Sequence, residues 1–317
     1  MKRFFTGVIV ALAAGHASAQ AFPTKPIRFI VGFPPGGATD NVTRAVAPKM
    51  SEFLGQPVVV ENNGGAAGLA AAIQTARSAP DGHTIMLNTT GSFILRPILE
   101  KDMPVGPNDF TPITQIIESV FAIAASLDGP RSLADLIDQA RKNPGKLSYG
   151  TAGLGTETHL LMEHFGKLIG GPMQVVPYKG GGPAVNDLMG GQIPLVIQPV
   201  VTFLQQAKAG KVRIIAIVLP RRWDQLPDVP ALVEAVPGFE KPSGGAGVWG
   251  PAKIPTEIAN RLQQSIAAAL RDPKVNESLV AQGQVPVGST PQQFAAELRK
   301  GQVIFGDLVK QVGLKAQ

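Results

Sequence analysis

The chain has 317 residues, a formal net charge of +6, 36 glycines, 28 prolines and no cysteine. The lack of thiols excludes disulfides, thiolate metal sites and a cysteine nucleophile. No basic run or basic stretch interleaved with aromatics occurs, so nucleic-acid binding finds no support, and the glycines and prolines fall between apolar runs, which marks turns rather than low complexity.

The N-terminus carries Lys2 and Arg3, an apolar stretch over residues 4–14, and the small triplet Ala17-Ser18-Ala19. This order predicts a secretory signal, residues 1–19, cleaved between Ala19 and Gln20. The apolar part is about half of the ~20 residues that a spanning helix needs, and no later stretch is long and apolar enough to cross a bilayer. With no cysteine at the cleavage site to carry a lipid, a soluble periplasmic protein is expected. Loss of Lys2 and Arg3 leaves 27 basic against 23 acidic residues, a mild balance that favours anionic solutes only weakly.

From residue 27 onward, short β-rich runs alternate with helical stretches. Residues 27–31 predict a buried strand, 32–37 a turn, and 38–54 a helix. Strands follow at 57–60 and 84–87, with a helix over 68–79 between them. Strand–helix–strand repetition predicts a mostly parallel sheet covered by helices. The grammar then restarts. A helix over 132–142 is stopped by Asn143-Pro144-Gly145, and strands are predicted at 147–149, 174–176, 195–197 and 213–217. Residues 226–250 read as a long Pro/Gly-rich segment. The tail reads as three helices, 255–271, 273–281 and 291–312, each with a proline in its first turn. The pattern predicts two α/β units.

Three glycine loops are candidates for chemistry. The first, Gly32-Phe33-Pro34-Pro35-Gly36-Gly37-Ala38-Thr39-Asp40, joins a strand to a helix. Glycine lets backbone N–H groups approach a guest closely, and the helix start adds donors and a positive partial charge. A carboxylate or phosphate suits it; the same loop also reads as a tight turn capped by Thr39 or Asp40. The second, Gly150-Thr151-Ala152-Gly153-Leu154-Gly155-Thr156, is placed the same way in the second unit. It is neither a P-loop nor Gly-x-Gly-x-x-Gly. Two such loops, each beyond a strand C-terminus, define the cleft where open α/β sheets bind ligands. In the third, from Val176 to Leu188, Lys179 offers a cation and Asp187 either faces the ligand region or caps locally.

Catalytic patterns are thin. His159, Glu163 and His164 miss the spacing of a zinc helix motif, since five residues of helix turn His164 about 140° from His159. No Gly-x-Ser-x-Gly occurs. No cofactor and no metal are expected.

Five stretches together resemble one family. They are residues 26–37 with Asp40; Val60-Glu61-Asn62 with Gly64, Gly65, Ala66 and Gly68; residues 143–153 with Gly155 and Thr156; residues 176–181 with Asp187, Leu188 and Gly190-Gly191-Gln192; and residues 226–230. The chain resembles the Bug family, the periplasmic solute-binding proteins of tripartite tricarboxylate transporters, over almost its whole length after residue 19. The resemblance implies an α/β, two-domain periplasmic-binding-protein clamshell, with domain 1 at 20–121 plus 246–317 and domain 2 at 122–245. It implies a small carboxylate, a di- or tricarboxylate, held between the two glycine loops by N–H groups, hydroxyls and waters. Carried over, the ligand-binding residues are Phe33, Pro35, Gly36, Gly37, Ala38 and Asp40 from the first loop and Ala152, Gly153, Gly155 and Thr156 from the second, with Asn88, Thr89 and Asp187 close by. It implies the transporter's membrane subunits as partners, a monomer, and no catalysis. A ligand-presenting partner of a periplasmic sensor, and a hydrolase or isomerase using Asp40 or Asp187, are the competing readings.

Two places depart from the family pattern. Gln198-Pro199 stands where relatives have an acidic or amide pair. The segment 243–247 lacks the tryptophan that relatives carry before Pro251-Ala252. Less bulk there predicts a roomier pocket, open to a larger or aromatic dicarboxylate.

Overall fold

The computed structural model describes residues 22–65, 68–178, 180–241 and 244–314. The signal stretch and its cleavage site, and Ala66, Lys179 and Ser243, lie outside the described residues.

The first sheet starts where apolar runs leave no polar face. β1 (Ile27–Val31) pairs in parallel with β2 (Val58–Asn62) on one side and β3 (Thr84–Thr89) on the other. Ile27, Phe29, Ile85 and Leu87 are wholly buried, as a central strand requires. α1 (Ala38–Leu54) follows β1; Val42, Val46 and Met50, four apart, turn one apolar stripe onto the sheet. Gly55, at φ 71°, ends it in the left-handed cap. α2 (Leu69–Ala76) and α3 (Thr90–Leu99) follow β2 and β3.

β4 (Phe110–Ser119) completes the first pass, and the chain crosses at Val120 into the second sheet. There β5 (Phe121–Ala125), β6 (Ser148–Thr151), β7 (Gln174–Pro177), β8 (Leu195–Pro199) and β9 (Arg213–Val218) lie in the order β7-β6-β8-β5-β9. β6 runs parallel to β7 and β8, while β5 runs against β8 and β9. Helices α4 (Leu133–Lys142), α5 (Glu157–Ile169), α6 (Gly181–Met189), α7 (Val201–Lys208) and α8 (Leu232–Ala235) belong to this half. Phe121 already sits in β5, one residue ahead of the expected boundary.

The chain returns before β10 (Gly245–Pro251), which inserts between β3 and β4, antiparallel to both. β11 (Gln284–Pro286) pairs with β4, giving the order β11-β4-β10-β3-β1-β2. Each half is therefore a sheet flanked by helices, as expected, but with strands running against the parallel set. The Pro/Gly-rich segment is corrected at its end: β10 is a fully buried central strand. Its glycines are packing positions, since a Cβ on Gly247 would overlap the ring of Phe294. α9 (Thr256–Arg271), α10 (Pro273–Ala281) and α11 (Pro291–Gln311) close the fold. α9 covers α1, while Phe305, Leu308 and Val309 of α11 pack with Ile94 and Leu95 of α3 and with Leu160 of α5. That last cluster joins the two halves.

Candidate functional site

The carboxyl ends of β3 and β8, and the loop after β6, open on one cleft of about 370 Å³ between the sheets. One wall is Thr89 with Gly91 and Ser92 at the start of α3. The facing wall is Gly155, Thr156 and Glu157 at the start of α5. Ser119, Phe121 and Gly245 of the crossing segments form the floor. Two helix starts thus present their N-terminal turns to one space, which suits an anion.

Of the residues expected at the site, Thr89, Gly155 and Thr156 line this cleft. The first loop stands at the end of β1, with Pro35, Gly36 and Ala38 exposed and Phe33 and Gly37 half-buried. Asp40 is buried and serves the loop itself. It accepts from Gly36 N (2.8 Å), Arg44 Nε (2.9 Å) and Asn62 Nδ2 (2.9 Å), and Asn62 also donates to Phe33 O (3.1 Å). Burial works to raise its pKa, but these hydrogen bonds, Arg44's first, hold it below the ordinary carboxylate value.

Asn88 is buried beneath the cleft. It bonds Gly68 O (3.3 Å) and takes the N–H of Thr89 (2.8 Å), fixing the turn into α3. The pocket beside it measures about 30 Å³, too small for a solute. Ala152 O accepts from Gly180 N (3.2 Å), so the second and third glycine loops are joined. Asp187 accepts from the hydroxyl of Tyr178 (2.7 Å); burial and this bond push the Tyr178 pKa up to about 12. Asp187 does not line the cleft.

In the second loop the polar groups bond one another. Thr156 Oγ1 donates to Gly153 O (2.7 Å) and, as cap of α5, accepts from His159 N (3.4 Å). It also lies 3.2 Å from Thr151 Oγ1 and 3.1 Å from Thr158 Oγ1. Gly155 N donates to His159 Nδ1 (3.1 Å), which makes that imidazole nitrogen an acceptor, and burial lowers the His159 pKa against the opposing pull of Glu163. His159 and Glu163 share a helix face, 4.0 Å apart, while His164 turns away against Phe239.

Glu157 was not among the expected residues. An acidic residue in the first turn of a helix ordinarily reads as a solvated partner of the helix dipole. Here its carboxyl points between Gly91 and Gly244, where a Cβ on Gly91 would stand 2.9 Å from Oε2 and one on Gly244 would overlap Oε1. Oε1 is shielded and has no hydrogen-bond partner among the described residues. Burial, then Glu118, raise its pKa to about 7 against the opposing charge of Lys241.

A tryptophan does stand close to the segment 243–247, but away from the cleft. Trp249 stands two residues before Pro251 and is wholly buried, stacked on Phe93 (4.4 Å between centroids) and tilted against Phe294. Nor is there extra room at Gly244: the space a side chain would take holds Glu157 and Lys241. Gln198 is buried at the end of β8 against Gly181, its Nε2 without a partner among the described residues, and Pro199 lines the cleft.

Residues 42–314 match the model of the TctC family, described as the tripartite tricarboxylate transporter family receptor. Protein BugT of Bordetella pertussis is 33% identical over 320 residues, covering 98% of this chain and 96% of the relative. Among solved structures, periplasmic binding protein BugD is 34% identical with a TM-score of 0.73, covering 93% of this chain and 100% of that one. R. palustris Rpa4515 with adipate is 32% identical with a TM-score of 0.76, covering 92% and 98%. MatC from Rhodopseudomonas palustris with bound malate is 28% identical with a TM-score of 0.71, covering 91% and 100%. The family model spans nearly all the residues from α1 onward, and both sheets fall within the matched structures: the chain belongs to the TctC family of solute receptors.

Proposed function

We propose that this protein binds a small carboxylate, a di- or tricarboxylate, in the cleft between its two sheets and delivers it to the membrane subunits of a tripartite tricarboxylate transporter. The observation that carries this reading is the pair of helix starts, α3 and α5, that face each other across the cleft with Thr89 and Thr156 beside them. Such a site offers N–H groups and hydroxyls to a planar anion. That relatives of this fold hold adipate and malate supports the same solute class.

In this reading residues 22–120 with 245–314 form one unit and residues 121–241 the other, and the solute draws them together. Thr89, Gly155 and Thr156 touch it first. Phe33, Pro35, Gly36, Gly37 and Ala38 close from the first loop, held in shape by Asp40, while Asn88, Ala152, Gly153 and Asp187 support the backbone. The protein acts as a periplasmic monomer after cleavage behind Ala19, and returns its solute unchanged.

Calorimetric titration with adipate, malate and the matching diamides tests this, with small-angle scattering on the same samples. Diacids should bind, diamides should bind far more weakly, and the bound protein should be more compact. Equal affinity for acid and amide overturns the anion site. Chemical change in the recovered solute overturns the non-catalytic role.

A further inference from the structure

Glu157 lines the cleft, and its carboxyl carries an acceptor that no donor among the described residues meets. Oε1 is shielded, and the carboxyl is walled by Gly91 and Gly244. The charged groups around it have bonds of their own. From the crossing segments, Lys241 donates to Glu118, which also accepts from Gly244 N (3.2 Å) and Gln115 Nε2 (2.7 Å). From α3, Arg96 pairs with Glu100 (2.8 Å). On its own helix, His159 accepts from Gly155 N, and Glu163 accepts from the hydroxyl of Tyr149 (2.6 Å).

A buried carboxylate oxygen without a donor is costly. A second carboxylate entering beside it adds like-charge repulsion, which a proton on either one removes. We propose that Glu157 is a proton-carrying specificity residue: as a solute carboxylate enters the cleft, Glu157 completes its protonation from solvent and, keeping the proton, donates an O–H···O⁻ hydrogen bond to the solute. This rests on the reading that the cleft binds a carboxylate. It adds that binding is coupled to proton uptake and that an uncharged amide gains nothing from the exchange.

The near-neutral pKa of the free protein fits the exchange, because half-protonation there makes the uptake inexpensive. The sign follows. Bound solute raises the Glu157 pKa further, so affinity is highest below the free-state value and falls as pH rises through the bound-state value. A tenfold rise in proton affinity on binding makes adipate roughly sixfold weaker at pH 8.5 than at pH 6.5, a range in which adipate itself stays ionised.

The experiment is titration of the full mature chain with adipate at both pH values, in pairs of buffers with different ionisation enthalpies, for wild type and Glu157→Gln. Wild type should take up a fraction of a proton per adipate near pH 7 and bind more weakly at pH 8.5. Glu157→Gln is neutral and keeps a donor, so it should lose both the proton uptake and the pH dependence. Adipate bound by wild type without proton uptake, or a variant that keeps the wild-type pH profile, overturns the proposal alone. Failure of both adipate and malate to bind at either pH overturns the carboxylate reading and the proposal with it. The proton count on wild type decides the matter if the variant does not fold.

Discussion

Lys241 donates a hydrogen bond to Glu118 and so ties the second segment that crosses between the sheets to the end of β4, where the first crossing begins. Lys241 is nearly buried and its ammonium also lies 5.7 Å from the ring centre of Phe121. Removing one partner of such a pair leaves a buried charge, at a cost of about 3–5 kcal/mol. Lys241→Met should therefore be strongly destabilised in urea melts. Adding Glu118→Gln to it should recover most of the loss, because the remaining partner is then uncharged. A double variant no more stable than Lys241→Met would show that the pair does not act as a unit.

Asp40 supports the first loop through Gly36, Arg44 and Asn62. Asp40→Ala leaves those donors without their acceptor and should cost about 1–3 kcal/mol at pH 7. Its pKa is depressed in the fold, so the stability it contributes is present above the unfolded value and is lost as pH falls through the folded one. The gap between wild type and variant should narrow in melts below about pH 3.5. A constant gap across pH would assign the loss to packing instead.

Leu160 carries the apolar contact of α5 with α3 and α11 and is wholly buried beside Leu95, Phe305 and Leu308. Leu160→Ala should lower stability by about 2–5 kcal/mol. Because the side chain bridges the two halves, hydrogen exchange should rise in α11 and in the later turns of α3, around Leu95, as well as in α5. Exchange confined to α5 would contradict the bridging role.

Thr156→Val removes a cap as well as a hydroxyl at the cleft. The lost cap should cost about 1 kcal/mol of stability. If Thr156 meets the solute carboxylate, adipate affinity should fall roughly tenfold or more, because a hydrogen bond to a charged group contributes about 1.5–3 kcal/mol. Thermal melts and calorimetry separate the two effects. Lower stability with unchanged affinity would leave Thr156 a cap only.

How far the sequence reached depended on whether the signal was local. The bounds of α1 were legible to the residue, because Val42, Val46 and Met50 keep helical spacing and Gly55 ends the run. The starts of α10 and α11 were legible from Pro273 and Pro291. β4 was not, because its interior polar residues are satisfied from far away: Thr114 donates to Ser289 O (2.7 Å) and Ser289 Oγ accepts from Gln115 N (2.9 Å). β10 was hidden for a related reason, since Phe294 fills the space that a side chain at Gly247 would take. At the candidate site the loops were visible as glycine patterns. Glu157 was not, because what makes it unusual is the shielding of one oxygen beside Gly244, far along the chain.

The place of β10 has a consequence for the order in which the molecule can be assembled. Strands β5 to β9 form one sheet among themselves and occupy one continuous stretch, residues 121–218. β3 and β4 instead both wait for a strand made about half a chain later. A chain that emerges N-terminus first therefore completes the second sheet while the first still has two open edges, one of them the apolar run Ile85-Met86-Leu87. Unpaired edges of that kind invite pairing with other chains. The interval between residues 119 and 245 is the stretch of emergence over which a holding chaperone has something to protect.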